Sequence, residues 1–312
     1  MKLHNDYEAF NDLSVLAADY IGIPVSAVKR DYYIVMMLQK LANSDYSAKC
    51  VFKGGTSLSK CYPGSISRFS EDIDLTYIPN DELSKKQYDR ALKNIEKLMT
   101  EGAYMAKIPE ERNDRNKSCI VWFEEDAKEK VKLEIGSSVR PDPYESRALK
   151  TYIQEYLESR DMFEVVNEFE LEKVWLNTLC IERTFLDKVM SVKRHAICGT
   201  LPNKVRHIYD VTTLFERNDI KKFLADKAGL KDLLQKTKYT DSFYLEKRNI
   251  SLEYDPTGPY DFPSWAQYFD SNIRLRYESL HEDLLYTDKK QDFSKAMKTF
   301  REISCIFEEI GE

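Results

Sequence analysis

Arg68-Phe69-Ser70-Glu71-Asp72-Ile73-Asp74-Leu75 (RFSEDIDL) alternates strictly, with acids at 72 and 74 and apolar residues at 73 and 75. A strand turns successive side chains to opposite faces. The alternation therefore predicts a strand over Ile73–Tyr77 with Asp72 at its start. Ile73 and Leu75 point to a core, and Asp72 and Asp74 share the other face. Two carboxylates side by side repel and raise one another's pKa. A divalent cation removes that cost, and Mg²⁺ typically combines one or two protein carboxylates with substrate phosphates. Taken alone, such a pair is more often a solvated strand end, so the neighbouring segments have to decide.

Upstream, Val28–Leu41 has helical apolar spacing (Val28, Tyr32, Val35, Leu38, Leu41). KCVF reads as a short buried strand, GGT breaks it, and SLSKCY reads as a short helix. Pro63 and Gly64 make a loop. In Lys53-Gly54-Gly55-Thr56-Ser57 the paired glycines let the backbone approach a ligand closely. A strand turning into a helix there would offer N–H groups to an anion, although a plain turn explains an isolated GG equally well. The spacing is neither that of a Walker loop nor that of a Rossmann fingerprint. Ser57-Leu58-Ser59-Lys60 matches S-x-x-K, but the companion S-D-N and K-T-G motifs are missing.

Downstream, Lys85–Met99 has the spacing of a long helix. Ser118–Glu124 (SCIVWFE) and Val131–Ile135 (VKLEI) read as strands of an antiparallel hairpin, joined by the turn EDAKEK. In VKLEI, Lys132 and Glu134 share a face. If this strand neighbours the one bearing Asp72 and Asp74, Glu134 completes an acidic triad. Otherwise it is an ordinary exposed residue.

Beyond about residue 150 helical patterns dominate, over Thr178–Ile197, Val205–Arg217, Asp219–Leu234, Asn272–Leu285 and Phe293–Ile310. Tyr254–Trp265 (YDPTGPYDFPSW) is the least regular stretch and is expected to cross a surface between helices. On the first of these helices Thr184, Lys188, Ser191 and His195 fall on a polar face, and Arg183 and Asp187 are spaced to pair. Asp210, in RHIYD, is placed to orient Lys188 or to cap locally. From Arg183 to His207 the cations Arg183, Lys188, Lys193, Arg194, Lys204 and Arg206 face one acid, Asp187. They are the best candidate for a phosphate-facing patch, with a solvated helix surface as the rival reading.

The 312 residues suffice for one large or two ordinary domains. The net charge of −6 excludes a strongly basic nucleic-acid coat protein, but not an enzyme with a local basic patch. No run approaches the 18 or so apolar residues that span a bilayer. MKLHNDYEAF has no apolar signal-peptide core. Cys50, Cys61, Cys119, Cys180, Cys198 and Cys305 are scattered, and the histidines show no metal spacing. A cytoplasmic protein with free thiols is expected.

The order GGTS, RFSEDIDL, KLEI, ERTFLDK, RHIYD is specific. It resembles the AbiEii-type nucleotidyltransferase toxins of bacterial abortive-infection and type IV toxin–antitoxin systems, the MenT-type toxins among them. The likeness is strongest over FKGGTSLSKCYPGSISRFSEDIDL and extends over about residues 28–215.

The resemblance implies an α+β fold. Residues 1–175 would form a polymerase-β-like nucleotidyltransferase lobe with a mixed sheet. Residues 176–312 would form an all-helical lobe contributing to the active-site cleft. It implies that Asp72 and Asp74, with Glu134 as the third acid, hold Mg²⁺ on an NTP. Lys53, Gly54, Gly55, Thr56 and Ser57 would bind the nucleotide with Arg68, Ser70, Glu182 and Arg183. Lys188 would neutralise charge developing on the phosphates, oriented by Asp210. The acceptor it implies is a tRNA 3′ end, met by the basic residues between Arg183 and Arg206. A protein or small-molecule hydroxyl is the alternative acceptor, and a non-catalytic NTP-binding module the alternative role. A cognate antitoxin is the implied partner, and defence against phage the implied setting.

Overall fold

The computed structural model describes residues 1–125, 129–247, 254–287 and 289–312. The chain divides into two compact units, Met1–Tyr62 with Phe69–Leu179, and Pro63–Arg68 with Cys180–Glu312.

The first unit is built on one seven-stranded mixed sheet. Its strands are β1 (Cys50–Lys53), β2 (Asp72–Tyr77), β3 (Tyr104–Lys107), β4 (Asn116–Trp122), β5 (Val131–Gly136), β6 (Tyr144–Leu149) and β7 (Val174–Leu179). They lie in the order β3-β4-β5-β2-β1-β7-β6. The expected hairpin is present, β4 running antiparallel to β5, although 126–128 of its turn lie outside the described residues. β5 is parallel to β2, and β2 antiparallel to β1.

Among the described residues, the α-helices of this unit are α1 (Tyr7–Ile21), α2 (Val25–Ala42), α3 (Gly54–Cys61), α4 (Lys85–Met99), α5 (Tyr152–Ser159) and α6 (Phe163–Glu168). In α2 the five residues with helical spacing are all fully buried. α4 has the expected bounds because Ser84 and Gln87 form a capping box at its start and Tyr88, Leu92, Ile95 and Met99 bury one stripe. GGT does not separate β1 from a later helix. It is the first turn of α3, which starts directly at Gly54. Lys60 of α3 is buried against Asp31 of α2 at 2.7 Å, with its ammonium 3.8 Å from the centre of the Tyr152 ring.

The second unit is helical among the described residues, apart from one isolated bridge between Arg68 and Leu285. Its helices are α7 (Ile181–Ile197), α8 (Val205–Phe215), α9 (Asn218–Ala225), α10 (Lys227–Lys247), α11 (Phe262–Trp265), α12 (Ser271–Glu278), α13 (Leu280–Asp283) and α14 (Phe293–Glu309). Three expected helices differ. Thr178 and Leu179 end strand β7, where Val174, Leu176 and Thr178 are buried with a period of two, so α7 begins at Ile181. The helix expected over Asp219–Leu234 is divided at Asp226, whose carboxylate accepts the Gly229 N–H and starts α10. The one expected over Asn272–Leu285 is interrupted at Ser279, between α12 and α13.

The proline-rich stretch runs along the surface as expected, alternating exposed residues with buried aromatics. Tyr254, Tyr260, Phe262 and Trp265 are buried, and Phe262 packs 4.7 Å from Trp265 and 5.7 Å from Phe300. Aromatic burial outweighs the irregular backbone, whose polar groups find partners: Pro259 O accepts from Lys193 Nζ at 2.7 Å and Tyr260 O from Trp265 Nε1 at 2.9 Å.

Candidate active site

In β2, Ile73 and Leu75 are buried while Asp72 and Asp74 are half-buried on the opposite face. The sheet register supplies the neighbours. β5 sets Lys132 beside Asp72 and Glu134 beside Asp74. β1 sets Lys53 opposite Asp74, and β4 sets Ser118 opposite Glu134. Lys53, Asp74, Glu134 and Ser118 thus form a polar row across four strands.

The third acid is not isolated. Lys132 Nζ lies 2.5 Å from Glu134 Oε1 and 2.8 Å from Glu111 Oε2. Burial works against the charged amine, but its hydrogen bonds to these carboxylates outweigh it and raise the Lys132 pKa. Among the described residues, no three His, Cys, Asp or Glu side chains group so as to hold a metal ion by themselves. Asp72 and Asp74 fit a cation that takes its remaining oxygens from a bound phosphate, the usual manner of Mg²⁺.

The glycine loop is built against these acids. Gly54 has φ +85°, a left-handed conformation, and a Cβ there would lie 2.1 Å from Asp74 Oδ2 and 3.0 Å from Asp74 Cγ. Only glycine lets the first turn of α3 reach the carboxylate. Thr56 Oγ1 donates to the Asp72 carbonyl at 2.5 Å and lies 2.8 Å from Ser70 Oγ. Ser57 Oγ donates to Gly54 O at 2.9 Å. Both hydroxyls are buried and serve the loop itself, tying α3 to the start of β2.

The second unit holds a charged cluster of its own. Asp210 is fully buried and accepts from Arg68 at two points, Nε to Oδ1 at 2.6 Å and Nη2 to Oδ2 at 2.8 Å. Lys188 Nζ donates to Oδ2 at 2.6 Å. Burial pushes the Asp210 carboxyl up, but Arg68 and Lys188 together outweigh it and hold it well below the usual carboxylate range. His207 lies on the same helix, its Nδ1 3.1 Å from Ser191 Oγ; burial first, then Lys188, holds its pKa well below the ordinary value.

Asp210 does meet Lys188, as expected, and it also accepts from Arg68. Arg183 is buried and donates to Asp187 at 2.9 Å, the expected i,i+4 brace. Glu182 is half-buried in the first turn of α7. The polar face expected to carry Lys188 does not expose it: the residue is only 6% exposed. Of the cationic patch expected from Arg183 to Arg206, Arg183, Lys188 and Lys193 are interior, and Arg194, Lys204 and Arg206 are half-buried. Arg183 and Lys188 are buried and paired with acids, Lys193 is buried on a carbonyl, and Arg194 pairs with Asp241. A charge count along a helix does not distinguish a surface from cations neutralised inside. Lys132 and Glu111 were not foreseen as partners of the acidic row. The alternation of VKLEI places Lys132 on the Glu134 face, but nothing local to the sequence brings Glu111 there.

MenT4, a nucleotidyltransferase toxin from Mycobacterium tuberculosis H37Rv, has a similar fold (TM-score 0.51, 17% identity, covering 95% of this chain and 98% of that one). JHP933 from Helicobacter pylori gives a TM-score of 0.39 at 19% identity, over 82% of this chain and 94% of that one. No curated protein is a detectable relative of the sequence. The family profile described as nucleotidyl transferase AbiEii toxin, type IV TA system, matches residues 36–303. With the greater part of both units inside that match, the chain belongs to the AbiEii nucleotidyl transferase toxin family of type IV toxin–antitoxin systems.

Proposed function

We propose that the protein transfers nucleotides from an NTP to the 3′ end of tRNA, with Asp72 and Asp74 holding Mg²⁺ at the triphosphate. The observation that carries the reading is the fit of Gly54 against Asp74, in a sheet whose register sets Glu134 beside Asp74. A bound Mg²⁺ would supply charge neutralisation on the phosphates. The protein supplies the rest by positioning and electrostatics. Gly54 and Gly55 open α3, whose first-turn N–H groups have no carbonyl partner within the helix and suit a phosphate. Thr56 and Ser57 act through that backbone, their hydroxyls being committed to the loop. Lys53 and Ser70 flank the same loop. Glu134, beside Asp74 in the sheet register, shapes the row through Lys132. On the resemblance we also assign nucleotide-binding roles to Arg68, Glu182 and Arg183, and a phosphate-neutralising role to Lys188, which Asp210 holds.

The tRNA acceptor rests on the resemblance of FKGGTSLSKCYPGSISRFSEDIDL and its companion motifs to toxins that modify tRNA. The interior cations of α7 lend it no support. Membership of the family implies a cognate antitoxin. Among the described residues, no helix is long and apolar enough to cross a membrane.

Incubation with labelled NTPs, Mg²⁺ and total tRNA tests the proposal. Label in RNA, lost on chelation and regained with Mg²⁺, is expected. Label in protein alone would replace tRNA with a protein acceptor. Unchanged toxicity in cells of an Asp72→Ala variant would mean a non-catalytic role.

Gly54→Ala is a sharper test of the loop. The left-handed backbone should cost about 1–2 kcal/mol of stability. Transfer should fall by more than that loss explains, because the new methyl displaces the Asp74 carboxylate. Urea unfolding and turnover on one preparation measure both. Full activity would mean that Asp74 is not used where it sits.

A further inference from the structure

We infer that the sheet face bearing Asp72 and Asp74 continues into a stacking platform, made by Tyr104, Trp122 and Lys130, that receives the single-stranded 3′ end of an RNA acceptor. The inference rests on reading Asp72 and Asp74 as the transfer site, and it places the acceptor on the first unit, not on the buried cations of α7.

The register carries it. Ser118 of β4 stands opposite Glu134, and Ile120 opposite Lys132, which is itself beside Asp72. Two residues further on the same face is Trp122, with Tyr104 of β3 directly opposite. The intervening core-side residues Cys119 and Val121 are fully buried, which fixes the parity. Two inter-strand spacings and two residues of rise put Trp122 about 12 Å from Asp72. A short single-stranded run spans that distance.

The chemistry at that place suits a base and its phosphate. The Tyr104 and Trp122 rings are nearly parallel, 15° apart, with centroids 6.0 Å apart. Tyr104 is 49% exposed, and β3 is an edge strand whose four residues are all exposed. The Lys130 ammonium lies 5.4 Å from the centre of the Trp122 ring, and the residue is exposed. Exposed aromatic rings beside a cation are how proteins hold single strands without reading sequence, since every base has a face to stack. A cross-strand aromatic pair also steadies an edge hairpin. That role alone requires neither an exposed ring nor a lysine aligned with it on the carboxylate face.

The test uses the full chain, a fluorescently labelled single-stranded RNA oligonucleotide and a tRNA substrate. In an Asp74→Asn background the oligonucleotide should still bind, and Tyr104→Ala should weaken binding about tenfold. Tyr104→Phe should restore it, since the ring and not the hydroxyl is needed. Lys130→Ala should flatten the salt dependence of binding. In the active protein, Tyr104→Ala should raise the KM for tRNA while leaving the KM for NTP and the kcat at saturating tRNA in place.

If Tyr104→Ala and Lys130→Ala bind RNA and transfer as the parent does, the platform is wrong and the transfer reading stands. The same holds if a duplex competes as well as a single strand. If the parent adds nothing to RNA yet loses oligonucleotide binding with Tyr104→Ala, the transfer reading fails and the platform stands.

Discussion

Asp74→Asn should lower nucleotidyl transfer on the order of a thousandfold, a typical loss for a charged group aimed at the reacting centre, while the urea midpoint barely moves. Asp74 is half-buried on the open face of β2, beside Glu134 and against the first turn of α3. Asparagine keeps its size and removes its charge. Neighbouring carboxylates repel, so neutralising one should change stability by less than about 1 kcal/mol in either direction. Turnover and equilibrium unfolding on the same preparation separate the two effects. An active Asp74→Asn protein would remove the acidic pair from the chemistry. Loss of activity together with a large loss of stability would make Asp74 structural.

Asp210→Ala should do the opposite and unfold the second unit more readily, by about 3–5 kcal/mol, the usual result of stranding a buried charge. Asp210 is fully buried between a doubly bonded Arg68 and Lys188. Its removal takes away the carboxylate that Arg68 and Lys188 both bond. Lys188→Met should be milder, since Asp210 keeps both bonds to Arg68, and should cost about 1–3 kcal/mol for one lost charged hydrogen bond. It should nevertheless lose transfer if Lys188 faces the phosphates.

The pH dependence follows from the same pairing. The Asp210 carboxyl titrates below its ordinary value of about 4 in the folded chain. Its contribution to stability is complete above that ordinary value and drains away as pH falls toward the lowered one. Urea unfolding below pH ~4 should therefore show a steeper decline for the parent protein than for Asp210→Ala. Parallel declines would mean that the carboxylate is not held down by its partners.

What could be read from the sequence was local. The face shared by Asp72 and Asp74 follows from a period of two, and the bounds of α4 follow from a capping signal and a stripe. The place of Glu134 beside Asp74 depended on β5 pairing parallel with β2, which no local pattern states. Helix α1 carries its own signals, Asp6 capping the Ala9 N–H and Gly22 in the left-handed conformation at its end, yet lies upstream of the first helix read from spacing. Strands β3 and β6 were also passed over. Both lie at sheet edges, where weak apolar alternation leaves little signal. The greatest divergence concerned charge. Arg68 meets Asp210 across a long stretch of chain, and composition counts such cations without telling which are buried.

Sequencing of RNA 3′ ends, after incubation of the protein with tRNA and each NTP separately, tests the central claim most directly. The account predicts untemplated nucleotides at tRNA 3′ ends with the parent protein and none with Asp74→Asn. Unextended 3′ ends with every NTP, from a folded parent protein, would contradict it.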